Sequence, residues 1–447
     1  MTATYDHVVV NGTVVNHDGV WEGDVGIRDG KIAALGAIGA RAGAKVFDAR
    51  GLHVLPGVID SHVHFREPGA EHKEDLASGS RAAAMGGVTT VFEMPNTAPP
   101  TVTAEALADK LRRAEGRMYC DHAFYIGASL ENIDELAALE RLPGVAAVKV
   151  FIGSSTGNLL IAQEADLKRV LARISRRAAF HSEDEARLTA RLGERRAGDP
   201  SSHPVWRNAQ AARDATAMLL RLARASGKRV HVLHVTTGDE MPLLAANRDI
   251  ATVEVTPHHL TLQAPEDYER LGTHAQINPP IRDAAHRAAL WAALRDGTVD
   301  TIGSDHAPHT REDKARAYPD SPSGMPGVQT LVPVMLDHVN AGRLSLQRFV
   351  DLTSHGPQRV VGIAGKGRIA AGYDADLTLV DLKREEEITE SWLAGRCGWS
   401  PYTGRRVKGW PVGTIVRGAV VMRDGEITSP PAGEPARFLE ALPPEDA

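Results

Sequence analysis

From about residue 58 to 365 the chain alternates short apolar runs with stretches of helical period. The strand-like runs are VIDSHVHF (58–65), VTTVFEM (88–94), HAFYIGA (122–128) and AAVKVFI (146–152). They continue with AAFHSE (178–183), RVHVLHV (229–235), TVEVTPHH (252–259) and DTIGSDH (300–306). Between them lie amphipathic stretches such as TAEALADKLRRAE, EADLKRVLARIS, TAMLLRLARA and HRAALWAALRD. A strand that is apolar on both sides belongs in a sheet covered on both faces, which is the signature of parallel strands crossed by helices. Eight such strands alternating with helices predict an α/β fold, a (β/α)8 TIM-type barrel over 58–365. An open doubly wound sheet is the alternative, because strand count alone does not close a barrel.

The two ends of the chain read differently. VVVNGTVV alternates around Asn11-Gly12, and VGIRDGKIAALG around Asp29-Gly30. Near the other end, DADLTLVDL is strand-like and TIVRGAVVMRDGEI pairs two short strands around Asp424-Gly425. Asn-Gly and Asp-Gly between alternating apolar residues are hairpin signals. Both ends carry the same RDG-x-I turn. The expectation is one small β-sandwich domain built from residues 1–57 and 366–429, with two unrelated β appendages as the alternative. The Pro- and acid-rich tail at 430–447 is expected to pack loosely.

Composition narrows the class without naming it. The 447 residues are 43% hydrophobic and 24% charged, as in an ordinary globular protein, and 42 glycines with 26 prolines suit many tight turns. A net charge of -6 does not suggest a nucleic-acid binder. Two cysteines, Cys120 and Cys397, exclude a disulfide framework. No basic leader followed by an apolar core opens the chain, and no run is apolar enough to span a bilayer. The expected setting is the cytoplasm.

Polar residues fall where barrel chemistry sits, at the C-terminal ends of the strands. The first run ends in His62-Val63-His64, whose i and i+2 side chains share a face. The fourth carries Lys149, the fifth ends near His181, the sixth near His234 and the eighth near Asp305. One His-x-His pair is weak evidence, but four histidines and an aspartate at four strand ends point to a metal site, since imidazole and carboxylate bind several divalent metals. A lysine cation inside a barrel is costly to bury. Lys149 is therefore either paired with an acid or a neutral amine able to take up carbon dioxide as a carbamate. Asp305 beside an activated water suits proton transfer.

The motifs PGVIDSHVHFREPG (56–69), GGVTTVFEMPNTAPP (86–100), VKVF (148–151), FHSEDE (180–185), HVLHVTT (231–237) and GSDHAPH (303–309) resemble those of the cyclic amidohydrolases: dihydroorotases, allantoinases and hydantoinases. The resemblance spans nearly the whole chain. It implies two divalent metal ions, zinc being the expected one. His62 and His64 would bind the first, carboxylated Lys149 would bridge, and His181 and His234 would bind the second. Asp305 would bind the first metal and act as catalytic acid and base. A small-molecule substrate, a homodimer, and assembly with other pyrimidine-pathway enzymes are further implications.

Dihydroorotase is the first expectation for the ring, an activity that interconverts N-carbamoyl-L-aspartate and L-dihydroorotate. Dihydroorotate bears a carboxylate, and Arg66 follows His64 at i+2 with a fork suited to it. Asn96 and His309 stand where dihydroorotases contact that carboxylate, and Asn278 where they contact the ring amide. Allantoinase and hydantoinase remain the alternatives, and the segment Ser323–Gln329 looks like the hydantoinase version of its loop. A non-catalytic scaffold and a mononuclear deaminase are more distant readings. Gly153–Asn158, directly after Lys149, is read either as a closing loop or as an ordinary connection.

Overall fold

The structure, a computed structural model, describes residues 4–155 and 159–441. All eight barrel strands are present: β1 (Val58–Val63), β2 (Val88–Glu93), β3 (Asp121–Gly127), β4 (Val145–Phe151), β5 (Ala178–His181), β6 (Val230–Val232), β7 (Ala251–Val255) and β8 (Thr301–Ile302). Each pairs in parallel with the next. The circle closes just beyond β8, where His306 bridges Val63 in parallel and accepts a hydrogen bond from the His64 amide at 2.7 Å. The Asp60 carboxylate supports that seam by accepting from the Ser304 amide at 2.9 Å. The parallel barrel replaces the open-sheet alternative.

Every residue of these strands is buried, which explains runs that are apolar throughout. Ile59, Phe92, Ala123, Tyr125, Ala147 and Ala179 fill one core cluster, while Val58, Val91, Phe124, Val148, Phe180 and Val232 belong to the larger one shared with the helices. The helices begin where the sequence offers oxygen caps. Asp75 and Ser78 form a reciprocal capping box for Leu76–Met85, Thr103 caps Ala104–Ala114, and Asn208 caps Ala209–Ser226. Gly227, at φ 65, ends the last of these in the left-handed conformation glycine adopts freely.

The chain ends meet in one mixed nine-stranded sheet. Its N-terminal strands are Tyr5–Asn16, Gly19–Arg28, Lys31–Gly36, Gly43–Asp48 and His53–Pro56; its C-terminal strands are Leu377–Glu387, Arg406–Val416, Ala419–Arg423 and Glu426–Ile427. His53–Pro56 runs antiparallel to Leu377–Glu387 and joins the two halves. The sheet forks at Tyr5–Asn16, which pairs with both Gly43–Asp48 and His53–Pro56. Asp29-Gly30 and Asp424-Gly425 are hairpin turns, with φ of 51 and 72, and 50 and 86. Asn11-Gly12 is not a turn. It is a bulge inside one twelve-residue strand, where the register shifts between Val9 and Gly12.

The tail also departs from expectation. Residues 430–441 are packed, not loose. The Gly433 amide donates to Met118 O, the Ala436 amide to His122 O and the Ala364 amide to Arg437 O. Phe438 is buried edge-on against Phe92 in the inner barrel cluster, with the Arg176 guanidinium 5.2 Å from its ring. A few apolar residues spaced among prolines suffice to seal the barrel where no periodic pattern advertises it. Among the described residues no helix is long and apolar enough to cross a membrane.

Candidate active site

His62, His64, Lys149, His181, His234 and Asp305 line one cleft, together with Arg66, Asn96, Asn278, Phe151, Ser155, Ile277, Ser323 and Gly324. His62 and His64 turn their Nε2 atoms to the same Asp305 oxygen, at 3.2 and 3.3 Å. These three donors lie within 4.8 Å of one another. The outward nitrogens are held elsewhere: Glu254 lies 2.7 Å from His62 Nδ1, and the Asn96 amide oxygen 2.7 Å from His64 Nδ1. Each ring is thereby fixed with its inner nitrogen aimed at the cluster, the arrangement in which imidazole presents a lone pair to a cation.

Beside this trio, His181 Nδ1 faces His234 Nε2 at 3.1 Å, and the His62 and His234 rings stand 5.3 Å apart. His181 Nε2 donates to Glu183 at 2.9 Å, and Glu183 is bound in turn by Arg207. Although burial pushes the Glu183 carboxyl up, the Arg207 guanidinium and His181 hold it well below the usual range. Burial drives the imidazoles of His62, His64 and His234 far below their ordinary value, so they are neutral and able to coordinate. Asp305 is pushed up by the same burial.

Lys149 is fully enclosed, with Nζ 4.6 Å from the centre of the Phe151 ring. Burial lowers its pKa to about 7, and the charges of Asp305 and Glu254 restore only part of the loss. A substantial neutral fraction near neutrality is what carbamate formation requires of an amine. His62, His64 and Asp305 therefore form a donor group that fits a divalent metal, and Lys149, His181 and His234 line the same cleft.

Arg66 reaches the cleft by a route different from the one expected. Its backbone is left-handed, at φ 60, rather than a continuation of the strand. His234 and Asp305 share this strained region, at φ 35 and 49. Strain of this kind concentrates where function over-determines the backbone. Burial lowers the Arg66 pKa to about 10, so it remains a cation. Its Nε donates to Pro308 O at 3.1 Å, and Nη2 stands 3.3 Å from His309 Nε2. His309 itself sits behind Arg66. Lys73 donates to its Nδ1 at 3.1 Å, which leaves the proton on Nε2 to be donated to Ser323 O at 3.0 Å. Asn278 lines the cleft, and its amide oxygen is held by His203 at 2.9 Å.

Of the loop after β4, residues 156–158 lie outside the described residues. Gly153 is required by close approach, because a Cβ there would lie 2.5 Å from the Glu183 carbonyl. Ser154 is held at both backbone atoms, its amide by Glu185 at 2.6 Å and its carbonyl by Arg207 at 2.7 Å.

Glu254, Glu183, Arg207 and Asp60 were missed as site residues by sequence reasoning. The signal for Glu254 was a charge inside the otherwise apolar run TVEV. The signal for Glu183 was an acid two residues after a ligand-type histidine. Arg207 stands far along the chain, in a connection without period, and carried no signal.

A sequence profile described as dihydro-orotase-like matches residues 51–240. The amidohydrolase family profile matches 214–421, and one for the urease alpha-subunit N-terminal domain matches 1–48. A dihydroorotase of Halobacterium salinarum is 40% identical over 399 residues, covering 88% of this chain and 92% of its own. A dihydroorotase of Methanosarcina mazei is 35% identical over 97% of both chains. Among solved structures, the L-hydantoinase (dihydropyrimidinase) of Arthrobacter aurescens superposes with a TM-score of 0.92 at 30% identity, covering 97% of this chain and all of its own.

Proposed function

The chain belongs to the dihydroorotase-like amidohydrolases, and we propose that it acts as a dihydroorotase, interconverting L-dihydroorotate and N-carbamoyl-L-aspartate. The observation that carries the choice of ring is Arg66. It is a buried cation on the cleft wall next to the His62–His64–Asp305 cluster, fixed by the Pro308 carbonyl and backed by His309. A fixed, buried guanidinium favours a substrate with a carboxylate, because each partner lowers the cost of burying the other. Asn96, set by its contact with His64, and Asn278, set by His203, complete the polar wall and orient the ring.

In this reading His62, His64 and Asp305 would hold one divalent ion, zinc by preference, and His181 and His234 a second, with Lys149 contributing to the site as a carbamate. Metal bound there supplies Lewis-acid polarisation of the amide carbonyl and a water acidic enough to attack it. Asp305 takes the proton of the attacking water and delivers it to the departing ring nitrogen. Ring closure of N-carbamoyl-L-aspartate runs through the same groups in reverse. The enzyme is read as a cytoplasmic homodimer, which sedimentation at the dimer mass would check.

A second reading, hydantoinase, is favoured by the superposition on the Arthrobacter aurescens enzyme. Steady-state hydrolysis of dihydroorotate, hydantoin, dihydrouracil and allantoin by one zinc-loaded sample supplied with bicarbonate separates the two. Dihydroorotate is expected to have the highest kcat/KM; a higher value for an uncharged ring would replace the first reading by the second.

A further inference from the structure

We propose that Lys314 is a positioning residue for the substrate, its buried ammonium tying together the two backbone segments that form one wall of the cleft. Its Nζ donates to three carbonyls: Gln276 O at 3.2 Å, Pro322 O at 2.8 Å and Gly324 O at 3.1 Å. Gln276 directly precedes Ile277 and Asn278, while Pro322 and Gly324 bracket Ser323; Ile277, Asn278, Ser323 and Gly324 all face the cleft. The two segments are far apart in sequence, and one side chain from a third segment holds them together.

The chemistry of this contact is unusual for a lysine. The side chain is fully buried, and its neighbour Asp313 turns away to Lys73 and Arg316, at 2.9 and 3.2 Å. The ammonium is thus solvated by carbonyl dipoles, all three of its hydrogens being matched by acceptors. Burial lowers its pKa to about 7 and the charge of Asp313 opposes that shift, while the three carbonyl acceptors favour the charged form. The Gln276 side chain adds a second staple, donating to Ser321 O at 3.0 Å and Ser323 Oγ at 3.1 Å and accepting from Ser321 Oγ at 2.6 Å. Position 324 requires glycine, since at φ 141 a Cβ would lie 2.5 Å from Ala307 O. Ser323 O also accepts from His309, so the wall abuts the group that backs Arg66.

None of these bonds holds His62, His64, Lys149, His181, His234 or Asp305, which lie on the barrel strands or just beyond their ends. Loss of the tie should therefore weaken substrate binding in ground and transition state alike, which raises KM and spares kcat. A purely structural role would lower stability without that split. The inference rests on the cleft being the substrate site.

The test is Lys314→Met, which keeps length and removes all three donors, assayed in the metal-loaded full chain. KM for dihydroorotate is expected to rise at least tenfold, with kcat within threefold and metal content unchanged. A KM within twofold of wild type, or a loss confined to kcat, overturns the proposal. Should Lys314→Met not yield folded protein, Ser321→Ala loosens the second staple alone. A KM increase of threefold or more then supports the proposal, and an unchanged KM overturns it. If the wild type prefers another ring, the comparison is made on that ring. The dihydroorotase reading then fails while the role of Lys314 is still tested.

Discussion

Glu254 touches no substrate in this account, yet it decides which nitrogen of His62 faces the cluster. Its carboxylate also contacts Ser61 Oγ at 3.1 Å and the His234 amide at 3.3 Å, so one buried acid steadies residues of both candidate metal groups. Partners of this kind typically contribute 10–100-fold in metal affinity. Glu254→Gln is accordingly expected to lower zinc affinity by roughly that factor, read by competition with a chelator. An affinity unchanged within threefold would remove its role. Asp305→Asn tests the proton carrier. General acid–base catalysis contributes about 10²–10⁴-fold, and a kcat loss in that range with metal still bound is the expected result. Turnover near wild type would assign the proton to another group. Three of the seven non-glycine residues at positive φ among the described residues, Arg66, His234 and Asp305, are in the cleft. Of the strained backbone at this mouth the sequence carried no sign, because nothing in the residue types announces it.

At the level of elements, the barrel strands were legible because burial on both faces forces apolar residues at every position. Their ends were less so. β6 stops at Val232 and β8 at Ile302, so His234 and Asp305 lie beyond the paired strands, in backbone that turns to aim them. The strand-end rule still found them, because it depends on which rim of the barrel the chain reaches and not on the last paired residue. Asn11-Gly12 misled for a physical reason: a left-handed residue serves a bulge as well as a turn, and only the register of the neighbouring strand distinguishes them. Phe438 was invisible to periodicity, being one aromatic in an irregular tail. Truncating a buried phenylalanine costs about 3–5 kcal/mol. Phe438→Ala should lose stability of that order in urea unfolding, with kcat/KM at 25 °C little changed because the cleft is at the opposite rim. A loss under about 1 kcal/mol would mean the tail does not seal the barrel.

The whole molecule is joined by a buried charge network that had no sequence signature. Lys366 contacts Asp121 at the start of β3 at 2.5 Å and Asp374 at 3.0 Å, and also binds Asp376; Arg417 of the flanking sheet reaches Asp121 at 3.0 Å. The three acids could be taken for a metal site, but Lys366 already supplies their cation. Removing one partner of a buried ionic group costs about 3–5 kcal/mol. Lys366→Met should therefore destabilise the protein by that amount in equilibrium unfolding, and a change below about 1 kcal/mol would show that barrel and sheet are held by apolar packing alone. What the assembled molecule does depends on the ring the cleft admits, and that depends on Arg66. The most direct measurement is the ratio of kcat/KM for dihydroorotate to that for hydantoin, in wild type and in Arg66→Ala. A ratio well above one is expected, collapsing by a hundredfold or more in the variant through loss on dihydroorotate. Equal losses on both rings would contradict it, leaving the metal chemistry without a carboxylate pocket.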